Sequence, residues 1–425
     1  MKKVLAIAAV ALMALPAAAL AQGLIGQCSD CHTMHNSEQG QPVALQGSSL
    51  TPSATPNQNL LKMDCIACHA SGTSATAVRL LDNGSKVPQV LHSDFANDLA
   101  AGNFKHLADG GDRKGHNITD LFAADTDNLY AAPGDYRSHS FAPGAGTTGF
   151  TCAGAVGCHG TRAQLISGYT DNNEGNGGAV GDPLDDFWTN TAKRQGIAAV
   201  SGAHHNNYDG LKDAVQNTVG QHDGAKVAAG YRFIPGLKGK GNMTDRWTNK
   251  DASSHNEYFG VAAPAPGSSC GFCHVTGDSG VGGSGRMTYD STLLVPNQSV
   301  SGFCITCHGK FHSVGAASTG GDNGTGGAFL RHPSDYVIKE SGEYAAYDVY
   351  SVTAPVARPD LAVIADTAAV VGGTDMVMCL SCHQAHATPN DGMLRFDYSL
   401  IVAGGGATGQ GCLACHTTKG VSKQN

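Results

Sequence analysis

Large side chains are scarce in this chain of 425 residues. Aromatic residues make up 6% of it, with only two Trp, and charged residues 15%. So few bulky groups cannot fill a large apolar core unaided. Basic residues are also in deficit, with 27 Lys and Arg against 35 Asp and Glu and a formal charge of −8. That balance argues against nucleic acid as a partner, because a phosphate backbone calls for a basic surface. Beyond the N-terminus no apolar run is long enough for a transmembrane helix. The nearest, Leu361 to Val371, is short and holds Asp366. The Gly-rich stretch Gly320 to Thr325 lacks the Lys-Ser/Thr pair that a phosphate loop requires.

What the chain does have is 57 Gly, 19 His and 14 Cys. The cysteines fall into a pattern. Six Cys-x-x-Cys-His motifs occur: Cys28, Cys31, His32; Cys65, Cys68, His69; Cys270, Cys273, His274; Cys304, Cys307, His308; Cys379, Cys382, His383; and Cys412, Cys415, His416. A seventh, Cys152, Cys158, His159, has five residues between its cysteines. No cysteine is left over. This pattern reads as covalent c-type haem attachment. Cysteines three apart share one side of a helical turn. Both sulfurs then reach one edge of a porphyrin, and the next residue presents its imidazole to the iron. Zinc ribbons also pair such cysteines, and disulfides suit an exported chain, but neither explains the recurring His. At the stretched motif, Gly154 and Gly157 let the extra residues loop out. A Cys152–Cys158 disulfide is the rival there.

Seven proximal histidines leave twelve others. That is enough to close the opposite face of every iron. The favoured axial candidates are His35, His116, His139, His204 or His205, His255, His312, His332 and His386. His92, His106 and His222 rank below them. His35, His312 and His386 follow a proximal His so closely that each is expected to reach a neighbouring iron rather than its own. Methionine is the other axial option, with Met34, Met63 and Met378 in view, and would raise the potential. The histidine surplus makes it unnecessary.

Residues 1–21 read as a secretory signal peptide, with Lys2 and Lys3, an apolar stretch and Ala19-Leu20-Ala21 as a small-x-small cleavage site. Removing it makes the charge still more negative. The remainder divides into a two-haem region at 22–150, a middle region at 151–260 with the stretched motif, and a four-haem region at 261–425. Motifs opening at Cys28 and Cys65, Cys270 and Cys304, and Cys379 and Cys412 form three pairs at similar separations, a loose internal repeat. The expected fold is that of a multihaem cytochrome c: mostly loops, with short helices and a few short strands wrapped around a chain of haems. Strand-like composition appears at Tyr336–Glu340, Tyr347–Val356 and Leu394–Val402, and a modest helix at Asp209–Gln221. Gly-rich tracts at Gly175–Gly181, Gly280–Gly285 and Gly315–Gly327 read as loops.

Several segments carry a resemblance. They are Cys28 to His35, Lys114-Gly-His-Asn-Ile118, Leu330-Arg-His-Pro333, and Cys379 to His386 followed by Met393-Leu-Arg-Phe396. Together they resemble multihaem outer-surface c-type cytochromes of metal-reducing bacteria. The resemblance is clearest near the N-terminus and over the last third; the middle, with its stretched motif, departs from the six-haem filament type. It implies bis-His haem c, seven or at least six, with His35, His312, His332 and His386 as distal ligands. It implies an exported protein of the periplasm, outer-membrane surface or extracellular space. Implied partners are other c-type cytochromes, porin–cytochrome complexes, extracellular acceptors such as metal oxides, and further copies of the chain in a filament. The competing reading is a multihaem reductase of nitrite or hydroxylamine, which needs one open iron.

Overall fold

The computed structural model describes residues 28–30, 32–58, 60–62, 64–73, 76–80, 86–93, 99–119, 121, 151–152, 158–159, 237–239, 249–260, 299–305, 308, 332, 334–360, 368–405 and 409–421. Among them regular structure is short, as a Gly-rich, aromatic-poor chain predicts. Strands run two to four residues and α-helices four to six. No described helix is long and apolar enough to cross a membrane.

Four of the five described helices coincide with attachment motifs: α1 (Ile66–His69), α3 (Val300–Ile305), α4 (Cys379–Cys382) and α5 (Cys412–Cys415), with α2 (Lys105–Gly110) the exception. The pairing has a simple cause. One turn puts the two cysteines on one side and the residues between them partly on the other. Those intervening residues are buried: Ile66 and Ala67, Leu380 and Ser381, Leu413 and Ala414. After α4 the backbone turns extended at His383.

Three small apolar clusters hold the described parts together. The first joins Leu45, Ile66, Leu91, Phe104 and Ile118 to Ala387, with Cys152 packed against it. The second gathers Ile338, Tyr347, Tyr350, Val356, Val370 and Ala414, with Cys415 at its edge. The third sets Tyr258 and Val300 against Met376, Met378 and Leu380. The first core thus joins side chains of two remote motifs, Ile66 and Cys152.

The largest sheet has five strands: β7 (Leu237–Gly239), β8 (Asn256–Phe259), β9 (Tyr336–Val337), β10 (Ala357–Arg358) and β11 (Met376–Val377), in the order β7-β8-β10-β11-β9. All neighbours are antiparallel except β8 and β10. The sheet takes strands from both sides of residue 260. Its interior carries a buried ionic network. Arg358 donates from Nε to Glu257 Oε2 at 2.9 Å, from one terminal nitrogen to Asp375 Oδ2 at 3.1 Å, and from the other to the Ala369 carbonyl at 2.8 Å. Asp375 Oδ2 also accepts from the Val371 amide at 2.9 Å. Every charge in the network is therefore paired, as burial demands.

Two strand expectations fail. Tyr347–Val356 pairs only through an isolated antiparallel bridge, Val349 with Ala369, and then turns, with the Tyr347 hydroxyl donating to the Ala354 carbonyl. Leu394–Val402 carries a 3-10 turn at Tyr398–Leu400, capped by the Asp397 carboxylate, which accepts from the Ser399 amide at 2.9 Å. Polar side chains that bond the local backbone compete with strand pairing. The expected helix at Asp209–Gln221 and the three Gly-rich tracts lie outside the described residues.

Candidate functional site

In six motifs the histidine amide donates to the carbonyl of the first cysteine. The distances are 2.8 Å for His32 to Cys28, 2.9 Å for His69 to Cys65, 3.1 Å for His308 to Cys304, 3.2 Å for His383 to Cys379 and 2.9 Å for His416 to Cys412. The stretched motif makes the same closure, from His159 to Cys152 at 2.9 Å. No disulfide joins Cys152 to Cys158, the rival expected at this motif.

The motif thiols differ in how readily they ionise: Cys379 is lowered, chiefly by its hydrogen bond with Cys304. Burial pushes the Cys158 thiol up to about 12, Cys382 to about 11 and Cys415 to about 12. Among the described residues no three His, Cys, Asp or Glu side chains form a metal-binding cluster.

The imidazoles pair across the fold. His116 and His308 have ring centres 6.1 Å apart, His159 and His386 6.1 Å, and His332 and His416 6.3 Å. A metal–imidazole bond is about 2.0–2.1 Å, and the ring centre lies about 1.1 Å beyond the nitrogen, so two imidazoles trans on one metal have centres about 6.3 Å apart. All three pairs match that separation. Each joins a motif histidine to a remote one. His386 faces His159, not its sequence neighbour His383.

Three of these rings, His116, His159 and His386, are held in the metal-binding protonation state. Burial lowers His116 and His159 to about 4 and His386 to about 3. A neutral imidazole is the form that ligates. Several present a fixed ring orientation, because Nδ1–H donates to a backbone carbonyl. His69 bonds Pro88 at 2.8 Å, His116 bonds Ala385 at 2.6 Å and His383 bonds Gly392 at 2.8 Å. Such outer bonds orient Nε2 and raise its basicity. The motif closures and the imidazole spacings together fit haem c.

Neighbouring motifs lie within electrostatic reach of one another. His69 acts on His159 and His386; His116 acts on His386; His308 acts on His116 and His383. Cys379 hydrogen-bonds Cys304, and Cys382 interacts with Cys412.

One axial candidate needs correction. His255 is fully buried, stacked on Tyr350 at 3.6 Å and 11°. Its Nδ1 bonds the Asp251 carbonyl at 3.1 Å and its Nε2 bonds Glu257 Oε1 at 3.0 Å. With both nitrogens committed it belongs to the ionic network. His35 is exposed, in a left-handed conformation at φ 53°, with Nδ1 donating to Asn57 at 2.8 Å. His92 is buried in β6 (Leu91–His92), and His106 lies on α2. Met34 is 70% exposed and Met378 sits in the third core. Cys31, Cys270, Cys273, His274, Cys307, His139, His204, His205, His312, His222 and Met63 lie outside the described residues.

Sequence reasoning missed the residues that aim these rings. Gly102 and Gly115 flank the His386–Ala387 strand segment. His386 donates to Ala101 at 2.7 Å, Asn103 to Ala387 at 2.9 Å and His116 to His386 at 3.0 Å. At Gly102, with φ +98°, an added Cβ would run into the Ala387 carbonyl. At Gly115 it would lie 2.6 Å from the His386 oxygen. Phe104 stacks on His386 at 4.7 Å. Asn36, buried beside His35, ties the N-terminal loop by donating to Ser53 at 2.7 Å and accepting from Ala44 at 2.7 Å. Asn tolerates its left-handed φ of 68°.

Residues 369–421 match the family described as "Doubled CXXCH motif". That segment spans the motifs at Cys379 and Cys412. Two solved structures align with the chain. One is the outer membrane cytochrome S filament from Geobacter sulfurreducens, at 18% identity and TM-score 0.42, covering 90% of this chain and 85% of that one. The other is the OmcS nanowires from the same organism, at 18% identity and TM-score 0.40, covering 90% and 86%. Scores of this size do not establish a common fold. No curated protein matches.

Proposed function

We propose that this chain, whose C-terminal segment carries the doubled CXXCH motif, is an exported multihaem c-type cytochrome that carries electrons along a row of bis-His haems. The observation that carries the reading is the set of three imidazole pairs at 6.1–6.3 Å, each uniting an attachment motif with a distant histidine. When bound, each haem supplies a one-electron Fe(III)/Fe(II) centre.

The chain's own residues do the rest. The paired cysteines would anchor each haem and the motif histidine would bind its iron. His116, His386 and His332 would be the second ligands at the motifs of His308, His159 and His416. Carbonyl partners at Nδ1 hold the rings and tautomers of His69, His116 and His383. An iron held by two imidazoles would leave no place for a substrate at those three motifs. The haem count in this reading is seven, because the stretched motif repeats the closure of the others.

The regions 22–150, 151–260 and 261–425 are proposed as segments of one row, not independent bodies. The partners follow from the sequence resemblance: other c-type cytochromes, a porin–cytochrome complex, metal-oxide acceptors, or further copies in a filament. The location is the periplasm, outer-membrane surface or extracellular space.

Carbon monoxide titration of the reduced holoprotein tests the carrier reading. Bis-His sites leave it no open position, so the spectrum should stay unchanged. Stoichiometric binding at one haem would contradict the reading and favour an oxyanion reductase.

A further inference from the structure

We propose that Glu343 sets the reduction potential of the metal site held by His416, making it the more electron-rich end of the row. The proposal rests on the haem reading above. His416 Nδ1 lies 3.3 Å from Glu343 Oε1, and Lys419 Nζ lies 3.4 Å from Oε2 of the same carboxylate. His69 and His383 bond neutral backbone carbonyls at the same position, at 2.8 Å each. The partner of His416 therefore differs in charge, not just in identity.

The backbone beneath the carboxylate is tied to the His416 motif. The Glu343 carbonyl accepts from the Thr417 amide at 2.8 Å and from the Thr417 hydroxyl at 2.6 Å. These two bonds tie the 3-10 turn Gly342–Tyr344 to the residue that follows His416. The adjacent Tyr344 ring lies 5.1 Å from the His416 ring. The turn thus presents the Glu343 side chain on the Nδ1 side of His416.

The chemistry gives the sign. A carboxylate charge 3.3 Å from Nδ1 polarises the ring more than a neutral carbonyl does, so Nε2 becomes a stronger donor to the metal. A stronger donor, with a negative charge nearby, favours the oxidised metal. The site then holds its electron less tightly than one backed by a carbonyl. Lys419 opposes this by neutralising part of the charge. His416 and Glu343 are about one-quarter exposed, at 28% and 24% of their side chains, so solvent screening keeps the effect moderate.

The test is a haem-resolved redox titration of the holoprotein, with wild type, Glu343→Gln and Lys419→Met compared. Peptide mass first establishes haem on Cys412 and Cys415. Glu343→Gln keeps the shape and an acceptor oxygen but removes the charge. One centre should move to higher potential by about tenfold in its reduction equilibrium constant, about 59 mV for one electron, while the others stay put. Lys419→Met should move the same centre the other way. Haem attached with neither variant moving any centre would overturn the role of Glu343 alone. No haem at Cys412 and Cys415 would overturn the haem reading and this proposal with it.

Discussion

His159 donates its amide hydrogen to the Cys152 carbonyl at 2.9 Å, joining the same two motif positions that the ordinary motifs join over a shorter separation. The three extra residues of this motif should therefore be dispensable for attachment. Deleting Gly154, Ala155 and Val156 leaves Cys-Ala-Gly-Cys-His at this position. The shortened protein should keep the wild-type haem count by intact mass and the same low-spin spectrum. Loss of one haem equivalent would mean that the long loop itself is required.

His386 and His255 are both buried histidines, but only one faces another motif's imidazole. His386→Ala should convert one haem to a high-spin, carbon monoxide-binding form without changing the number attached. His255→Ala should leave the haem spectrum untouched. It strands Glu257 Oε1 and the Asp251 carbonyl, and a buried unsatisfied group costs about 1–3 kcal/mol. Denaturant titration of the holoprotein measures that loss. A spectral change in His255→Ala would restore it as a ligand.

Arg358 links β8, β10 and the turn before β11 through two buried carboxylates. Arg358→Met leaves both without their cation. Breaking a buried pair by removing one partner costs about 3–5 kcal/mol. The midpoint of chemical unfolding should drop accordingly, with haem content unchanged in the protein that folds. An unchanged midpoint would show that the network is neutral.

Asp335 gives a pH dependence of definite sign. Burial raises its carboxyl to about 7, against hydrogen bonds from Ser299 and Ser301 that lower it. A folded pKa above the unfolded one means that the folded state prefers the proton. The stability from this group is fully present below about pH 4 and is lost as pH rises to about 7. Asp335→Asn removes that dependence. The variant should match wild type near pH 4 and gain on it through neutral pH, by at most about 4 kcal/mol at 1.36 kcal/mol per pKa unit. Parallel curves of stability against pH would contradict the assignment.

The motif closures were legible in sequence because Cys and His recur there at fixed spacing. Sparse regular structure was legible too, from the excess of Gly and the shortage of aromatics. The pairing of imidazoles was harder. His116 meets His308, and His332 meets His416, through contacts that no local pattern encodes. His255 looked like any other loop histidine until Glu257 and Asp251 took both its nitrogens. Gly102 and Gly115 were lost among 57 glycines, since only the close passage of Ala387 marks them out. Strands were overcalled at Tyr347–Val356 and Leu394–Val402, because β-branched and aromatic residues there pack in turns fixed by polar side chains.

The most direct test of the account is the intact mass of the mature holoprotein, with a pyridine haemochrome assay on the same sample. The account predicts seven covalently bound haems and no free thiol. Six haems, with Cys152 and Cys158 unmodified or joined to each other, would remove the stretched motif from the row and leave His159 and His386 paired for another reason. No covalent haem would contradict the reading of all seven motifs.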